Sequence, residues 1–292
     1  QKGERVFVII SDGLRYEAAR EFAKILNTKR KGSTEISAVQ GVLPSYTKLG
    51  MASLLPHQNI EISSDYGISV DGISIEGTEN RNKILNKYVE KSIAVQYKDI
   101  VDLARYDLRK LLGGKDLIYI YHNSIDARGD HHLTEREVFV AIEDTFEQLK
   151  LTIRKLVNDI TATNIYLVSD HGFIYQRSDI TQSEKISKVE IEGSYANRRF
   201  IFTDKDEQIE GTLNFDMKYL IGDHASLKCI TPRGANRFEV QGPGANYVHG
   251  GSSLQEIVIP VIHFKNERGK SAREGQKVSV TLTSISRKIT NP

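Results

Sequence analysis

Acidic residues follow the ends of three apolar runs that are typical of buried strands, and a histidine accompanies the last of them. In chain order these residues are Asp12, Asp126, Asp170 and His171. Ligands bind beyond the carboxyl ends of parallel strands, so we expect the four side chains to converge there. Carboxylate oxygen and imidazole nitrogen together suit zinc or manganese. A single aspartate at a strand end usually caps a helix or forms a turn, but three in this arrangement favour a di-metal hydrolase site.

A nucleophile for such a site is available in the segment that begins at Pro44. Ser45 and Thr47 place two hydroxyl groups at a predicted junction between a loop and a helix. Backbone N–H groups at the start of a helix bind phosphate and stabilise an attacking oxyanion. The alternative is that one of these hydroxyls only caps the helix. The spacing alone leaves the choice between Ser45 and Thr47 open.

Further histidines are candidate ligands or supports of the same site. His131 and His132 lie shortly after Asp126. His249 precedes a glycine pair, which allows close approach of a ligand but equally marks an ordinary turn. His122 lies beside the Asp126 loop and could support a ligand through a hydrogen bond.

Strands that alternate with helices are predicted to position these residues. The predicted core strands are residues 6–10, 35–39, 117–121 and 165–168. The predicted helices are residues 14–26, 45–55, 99–112 and 134–160, the second of them entered through a turn. This alternation predicts an α/β fold with a mostly parallel central sheet flanked by helices.

Segments that depart from this alternation of strands and helices predict the domain organisation. Residues 1–184 and 245–264 form the predicted core, with a small hairpin insertion at about residues 60–80 around Asp71. Residues 185–244 are richer in polar side chains and are predicted to form an inserted cap or lid. Residues 265–292 are predicted to be a C-terminal tail or edge strand. The chain has no initiator methionine and enters a core strand at once, so we expect a domain excised from a longer protein.

Composition and charge exclude several classes of protein. Of the 292 residues, 39% are hydrophobic and 27% are charged, which is typical of a globular protein. No run approaches the roughly 18 apolar residues that cross a bilayer, so a membrane protein is not expected. The single cysteine, Cys229, excludes a disulfide framework and a cysteine-based metal site, and it leads us to expect a cytoplasmic location. The net charge of +2 neither requires nor excludes a nucleic-acid partner.

The order of the candidate residues resembles that of the alkaline phosphatase superfamily, whose metal ligands are scattered along the chain in the same sequence. The matching residues are Asp12, Thr47, Asp126, Asp170, His171 and His249. More narrowly, residues 10–17 (Ile-Ser-Asp-Gly-Leu-Arg-Tyr-Glu) are similar to the opening motif of PglZ domains. The remaining PglZ motifs are similar to residues 43–56, 121–130, 169–175 and 249–260. Five motifs in the expected order over residues 5–262 make the resemblance specific. Their sequences are most similar to PglZ of the type 1 BREX phage-defence system.

The resemblance implies a role for each matching position around the first metal. The family holds that metal with an Asp after the first strand, the nucleophile and an Asp-His pair. These positions match Asp12, Thr47, Asp170 and His171. We prefer Thr47 to Ser45 as the nucleophile because the family threonine stands three residues after a proline, as Thr47 stands after Pro44.

The second metal of the family takes an Asp, a His four residues later and a late His. Asp126 and His249 match the first and the last of these. Four residues after Asp126 the chain has Asp130 instead of histidine, which leaves the ligand open among Asp130, His131 and His132. We choose Asp130 on its spacing. The resemblance thus implies two divalent metal ions, with zinc preferred and manganese or magnesium as alternatives.

The resemblance implies a metal-dependent phosphodiesterase, a nuclease acting on DNA in anti-phage defence, with other BREX proteins as partners. The alternatives are cleavage of a nucleotide messenger, a phosphomonoesterase, and a catalytically silent metal-containing scaffold. Lys48 and Arg128 lie beside the site in sequence and either contact the substrate phosphate or point to solvent. The basic residues that could contact a DNA backbone are Arg198, Arg199, Arg233, Arg237, Lys265, Arg268, Lys270 and Arg273.

Overall fold

A computed structural model of the chain describes residues 4–29, 32–187, 191–222, 226–240 and 246–266. Its strands are β1 (Val6–Ser11), β2 (Ser33–Gln40), β3 (Ile60–Ile62), β4 (Ile68–Val70), β5 (Ile73–Ser74), β6 (Ser92–Gln96), β7 (Leu117–His122), β8 (Asn164–Val168), β9 (Ile174–Tyr175), β10 (Lys185–Ile186), β11 (Tyr195–Ala196), β12 (Ile201–Thr203), β13 (Thr212–Asp216), β14 (Lys228–Pro232), β15 (Arg237–Phe238), β16 (Tyr247–Val248) and β17 (Val258–Lys265). Its helices are α1 (Tyr16–Lys29), α2 (Thr47–Ser53), α3 (Gly77–Tyr88), α4 (Tyr97–Ile100), α5 (Arg105–Leu112), α6 (Ser124–Gly129), α7 (Val138–Ile160), α8 (Lys218–Ile221) and α9 (Leu254–Ile257), with short 3-10 turns at Glu135–Glu137 and Gln182–Glu184.

The central sheet, as far as the structure describes it, has six strands in the order β2-β17-β8-β1-β7-β6. β8, β1, β7 and β6 are parallel to their neighbours. β17 is antiparallel to both β8 and β2. The predicted α/β class and the mostly parallel sheet are therefore confirmed. The antiparallel β17, the edge strand β6 and the helix α3 were not predicted.

Two hydrophobic cores cover the two faces of this sheet. Phe7 and Ile9 of β1 pack with α1, α5 and α7 on one face. Ile10 packs with Leu49 of α2 and Ile84 of α3 on the other face. Each of these side chains is fully buried, and burial of one such side chain stabilises the fold by roughly 1.5–3 kcal/mol. The continuous apolar run in β1 is thus explained by burial on both sides.

The parallel register brings the predicted acidic residues to one edge of the sheet. Ile10 of β1 pairs with Tyr121 of β7 on one side and with Val168 of β8 on the other. Asp12 comes two residues after Ile10, and Asp170 comes two residues after Val168. The two carboxylates are therefore delivered side by side at the carboxyl ends of neighbouring strands, as the sequence predicted.

The predicted helix over residues 99–112 is wrong as a single element. α4 and α5 are separate, and Lys155 of α7 donates hydrogen bonds to the carbonyl oxygens of Val101 and Leu103, which lie between them. The long helix predicted from Thr134 begins at Val138 after a 3-10 turn. Thr134 does not cap it, since its hydroxyl donates to the Arg128 carbonyl oxygen at 2.8 Å.

The segment predicted as an insertion contributes small sheets of its own. The strands β11 to β14 form a four-stranded antiparallel sheet in the order β11-β12-β14-β13. Ile201, Ile230 and Phe238 form a small core there. The predicted hairpin is present as β4 and β5, which join at Asp71. The domain boundaries themselves remain a prediction.

The predicted tail is described only as far as residue 266, where β17 has just ended. The possible edge strand and the basic residues Arg268, Lys270 and Arg273 come after residue 266 and therefore lie outside the described residues. Among the helices that the structure describes, none is long and apolar enough to cross a membrane.

Candidate metal centre

A first cluster joins Asp12, Asp170 and His171 beyond the ends of β1 and β8. His171 Nε2 lies 3.3 Å from Asp12 Oδ1 and 3.4 Å from Asp170 Oδ2. All three side chains are buried. Donor atoms that share one ion at about 2.1 Å lie at comparable separations from each other, so this cluster has the dimensions of a cation site.

A second cluster shares His171 and adds Asp126 and His249. His249 Nε2 lies 3.7 Å from Asp126 Oδ1. The imidazole rings of His171 and His249 stack with their centroids 4.1 Å apart. In each cluster the three possible ligand atoms lie within 4.8 Å of one another. The structure therefore brings together two adjacent groups that could each hold a metal ion.

Hydrogen bonds fix the orientation of the His171 ring. His171 Nδ1 lies 2.9 Å from the carbonyl oxygen of Gly172, which can only accept, so Nδ1 carries the proton. Nε2 is then the ring atom that faces the carboxylates, and it would turn a lone pair to an ion bound between them. Ser169 donates a 2.7 Å hydrogen bond to the His171 carbonyl oxygen and accepts one of 2.9 Å from the Leu14 N–H. The strand-to-loop turns of β8 and β1 thus hold the imidazole in place.

Thr47 lies against the first cluster. Its Oγ1 is 3.0 Å from His171 Nε2, and Thr47 is the first residue of α2. α2 approaches the Asp170 backbone closely at Gly50, where a Cβ atom would stand 2.4 Å from the Asp170 carbonyl oxygen. Only glycine allows this approach, so Gly50 determines how near Thr47 comes to the cluster.

The charges of the clusters shift the pKa values of their members. Burial and the neighbouring carboxylate of Asp170 raise the pKa of Asp12 well above its usual range, and burial raises that of Asp170. Burial lowers the pKa of His171, but the carboxylates of Asp170 and Asp12 outweigh it and raise that pKa to about 10. Burial and the charge of His171 lower the pKa of His249 to about 4. The raised pKa values of Asp12, Asp170 and His171 favour protons in the first cluster, where a cation would otherwise bind.

The surroundings of two buried carboxylate oxygens in the first cluster indicate whether a metal ion fits there. Asp12 Oδ1 and Asp170 Oδ2 accept no hydrogen bond from the described residues, although both face His171 Nε2. Buried polar atoms rarely remain without a partner. Lone pairs that face each other need a proton or a cation between them, and a set of carboxylate and imidazole donors suits zinc or manganese. The residues fit a divalent metal ion.

The structure distinguishes the three candidates for the remaining ligand. Asp130 follows α6 and lines a cavity together with His249. His131 and His132 are exposed and stack on each other with ring centroids 5.2 Å apart. Asp130 is exposed as well, and none of the three belongs to the two clusters found among the described residues. Only the cavity that Asp130 shares with His249 favours Asp130, and its role as a ligand remains a prediction.

Ser45 and His122 are buried but face other groups. Ser45 donates a 2.6 Å hydrogen bond to the Gly251 carbonyl oxygen. His122 lies between Ser11, 3.3 Å away, and Gln148, 2.6 Å away, behind the end of β1. His122 therefore supports the strand that carries Asp12, and Ser45 supports the loop after His249.

The basic side chains expected beside the site pair with carboxylates elsewhere. Lys48 is exposed and lies 2.8 Å from Glu76. Arg128 lies 2.8 Å from Asp144 of α7. Both cations are thus held by exposed carboxylates that belong to neither cluster.

The expected DNA contacts of Arg199 and Arg237 are wrong, because both arginines are buried. Arg199 donates hydrogen bonds of 2.9 Å and 2.7 Å to the carboxylate of Glu256. Arg237 donates to the Ala235 carbonyl oxygen at 2.9 Å. Their charges hold loops together and do not face solvent.

Tyr247 is a member of the site that the sequence did not reveal. Its hydroxyl donates a 3.1 Å hydrogen bond to Asp126 Oδ1. Burial and the Asp126 carboxylate raise the pKa of Tyr247 well above its ordinary value, so the hydroxyl remains a donor. A tyrosine in a short strand is indistinguishable from a core residue in sequence, and its position two residues before His249 was the one available signal.

Residues 1–264 match the protein family described as the BREX system PglZ alkaline phosphatase-like domain. The alkaline phosphatase-like protein PglZ of Bacillus cereus (strain H3081.97) is 51% identical over 291 residues, which cover 99% of this chain and 34% of that protein. The alkaline phosphatase-like protein BrxZ of Escherichia coli O9:H4 (strain HS) is 37% identical over 281 residues, which cover 94% of this chain and 32% of that protein. The chain thus spans about a third of the length of these curated relatives.

Similar solved structures share the fold at low identity. Murine ectonucleotide pyrophosphatase/phosphodiesterase 5 has a TM-score of 0.58 at 11% identity, covering 90% of this chain and 88% of that one. The human protein of the same name gives the same values. The inactive threonine-to-alanine variant of the murine protein, in complex with AMP, has a TM-score of 0.53. These similarities confirm the expected alkaline-phosphatase-like architecture.

Proposed function

The chain belongs to the PglZ family of BREX alkaline phosphatase-like domains, and from this premise we propose that it is a metal-dependent phosphodiesterase with Thr47 as its nucleophile. The observation that carries the proposal is the 3.0 Å distance between Thr47 Oγ1 and His171 Nε2, within two adjacent Asp/His clusters. A hydroxyl held against such a cluster is placed for attack on phosphorus.

Each cluster has a separate task in this proposal. Asp12, Asp170 and His171 would hold one ion beside Thr47, whereas Asp126 and His249, with Asp130, would hold the other. Bound divalent ions would lower the pKa of the attacking hydroxyl and stabilise the leaving oxygen.

The protein side chains then carry the steps on phosphorus. Thr47 Oγ1 gives its proton to water, forms a bond to phosphorus and displaces the leaving oxygen in line, and the leaving oxygen takes up a proton from water. Water next cleaves the phosphothreonine ester and restores the hydroxyl. Tyr247 keeps Asp126 oriented through its hydrogen bond throughout.

The pairing of the two basic residues adjacent to the site in sequence favours a diester over a monoester. A phosphomonoester has an additional negative charge that needs a cation near the phosphate oxygens. Lys48 and Arg128, the basic residues adjacent in sequence, are paired with Glu76 and Asp144. A diester, with one charge on its phosphate, suits this arrangement better.

The proposal also includes a substrate and partner proteins. The matching family is described as belonging to the BREX system, so we propose that DNA is the substrate and that other BREX proteins are the partners. The structural neighbour that was solved with AMP bears the name of a phosphodiesterase, which agrees with a nucleotide ester.

Hydrolysis of two small esters by the chelator-treated protein tests the proposal. We expect bis(p-nitrophenyl) phosphate to be cleaved only after Zn²⁺ or Mn²⁺ is added, with a higher kcat/KM than p-nitrophenyl phosphate. A higher kcat/KM for the monoester would instead indicate a phosphomonoesterase. A folded, metal-loaded protein that cleaves neither ester would contradict the proposal and leave a scaffold role.

A further inference from the structure

Asp126 and His249 belong to the second cluster alone, and they come from segments that are far apart in the chain. Asp126 lies in α6, whereas His249 directly follows β16. His249 Nε2 and Asp126 Oδ1 are 3.7 Å apart, which is too far for a hydrogen bond. The two candidate ligands therefore do not hold each other in place, and other contacts set the distance between them.

The ring of Tyr247 is packed tightly between two segments that carry candidate ligands. The side chain is buried, and its ring lies against Phe173 with the centroids 4.6 Å apart. A Cβ atom at Gly129, the last residue of α6, would overlap the Tyr247 ring. A Cβ atom at Gly13, in the turn after β1, would stand 2.9 Å from the Tyr247 hydroxyl oxygen. The two glycines thus form a slot that fixes the position of the hydroxyl.

Glu135 anchors the backbone of the strand that carries Tyr247. Its buried carboxylate accepts hydrogen bonds from the Asn246 N–H at 3.2 Å and from the Tyr247 N–H at 3.3 Å. Glu135 belongs to the 3-10 turn that follows α6 closely in the chain. The strand that leads to His249 is thereby tied to the segment that carries Asp126.

The Tyr247 hydroxyl contacts the candidate ligand atom itself. It donates its 3.1 Å hydrogen bond to Asp126 Oδ1, the same oxygen that faces His249 Nε2. The terminal torsion of an aspartate has broad preferences, so this hydrogen bond decides which carboxylate oxygen points towards His249. An aspartate oxygen has two lone pairs, so it can accept from Tyr247 and still coordinate an ion.

We propose that Tyr247 is the positioning residue of the second cluster, and that its hydroxyl sets the affinity for the second metal ion independently of the first. This inference rests on the two-ion site of the proposed function. A hydrogen-bond partner of a metal ligand typically contributes about tenfold to a hundredfold to metal affinity. Because Asp126 is a member of the second cluster alone, loss of the hydroxyl should act on one of the two ions.

Calorimetric titration of the chelator-treated protein with Zn²⁺ measures the two affinities separately. We expect the wild type to bind two ions, and Tyr247→Phe to keep one affinity while the other weakens by about tenfold to a hundredfold. The phenylalanine ring still fills the slot between the two glycines, so the packing is preserved. Tyr175→Phe is the matched control, because Tyr175 is the residue opposite Tyr247 in β9 and belongs to neither cluster. It should leave both affinities unchanged.

Two further readouts assign the effect to Asp126 and to metal binding. In an Asp126→Ala background, Tyr247→Phe should cause no additional loss of zinc affinity, because the partner of the hydroxyl is already absent. Hydrolysis of bis(p-nitrophenyl) phosphate by Tyr247→Phe should need about tenfold or more additional Zn²⁺ to reach its half-maximal rate. At saturating Zn²⁺ the variant should reach the kcat of the wild type.

Three results would overturn the inference. Unchanged affinities in Tyr247→Phe would make Tyr247 an ordinary core residue, and equal losses for both ions would indicate a general loosening of the site. A kcat that stays low at saturating Zn²⁺ would place the hydroxyl in the chemical step.

The wild type distinguishes failure of this inference from failure of the proposed function. A wild type that binds two ions but does not cleave the ester contradicts the phosphodiesterase, and the two affinities still decide on Tyr247. A wild type that binds fewer than two ions overturns the two-ion site and the role of Tyr247 together.

Discussion

Ser45 and Gly251 are 206 residues apart in the chain, yet the Ser45 hydroxyl donates a 2.6 Å hydrogen bond to the Gly251 carbonyl oxygen. The Ser45 N–H also donates to the carbonyl oxygen of Gly250 at 3.2 Å. This bridge ties the segment that carries Thr47 to the loop that follows His249. The candidate nucleophile and a ligand of the second cluster are therefore held in one unit.

Ser45→Ala separates a supporting role from a nucleophilic one. The variant loses one buried hydrogen bond, which should lower the free energy of unfolding by about 1 kcal/mol. It should keep metal-dependent hydrolysis of bis(p-nitrophenyl) phosphate within about tenfold of the wild type. Chemical denaturation and steady-state kinetics measure both effects. Loss of all turnover in a folded Ser45→Ala protein would transfer the nucleophilic role to Ser45.

Glu256→Gln should destabilise the protein strongly. Arg199 and Glu256 are both fully buried, so removal of one charge leaves the other uncompensated. We expect the free energy of unfolding to fall by about 3 kcal/mol or more. Glu76→Gln makes the same change in the exposed pair with Lys48 and should cost less than about 1 kcal/mol. Similar losses in the two variants, measured by denaturation, would refute this account of the buried pair.

Asp12→Asn should stabilise the metal-free protein while weakening its response to metal. Burial and Asp170 raise the pKa of Asp12, so its charge is unfavourable without a cation. We expect a gain of roughly 1 kcal/mol in the chelated protein, together with a smaller increase in Tm on addition of Zn²⁺. Asp216→Asn, at an exposed carboxylate, is the control. An undiminished Tm increase in Asp12→Asn would show that Asp12 holds no metal.

Metal binding should strengthen as the pH rises. The pKa of His171 is raised to about 10 in the metal-free fold, so its protonated form contributes stability that is complete below its ordinary pKa of 6.5 and is lost as the pH rises towards about 10. The raised pKa values of Asp12 and Asp170 act in the same direction. An entering ion must displace these protons. The increase in Tm caused by Zn²⁺ or Mn²⁺ should therefore be larger at about pH 8 than at about pH 6, and calorimetry should detect released protons. An increase in Tm that is larger at the lower pH would contradict the assigned ligands.

The arrangement of the first cluster was predictable because it depends on local rules. Apolar runs identified the strands, and parallel strands must end at the same edge, so Asp12 and Asp170 had to meet. The resemblance to PglZ domains selected Thr47 over Ser45, and the structure places Thr47 beside His171.

Contacts between distant segments could not be predicted in this way. Tyr247 reaches Asp126 across 121 residues, and Arg199 reaches Glu256 across 57, without a spacing that would reveal either pair. Arginines that look like DNA contacts in sequence can equally be buried partners of a carboxylate. The antiparallel β17 was missed because its apolar residues follow directly on a segment that was interpreted as a motif.

The central claim is that Thr47 is the nucleophile of a metal-dependent phosphodiesterase. The most direct measurement is the rate of bis(p-nitrophenyl) phosphate hydrolysis by metal-loaded wild type and Thr47→Ala, with equal metal content confirmed for both. We predict that Thr47→Ala loses activity by at least about a thousandfold while it keeps its fold and bound metal. Turnover in Thr47→Ala within about tenfold of the wild type would contradict the claim and assign the attack to a water molecule.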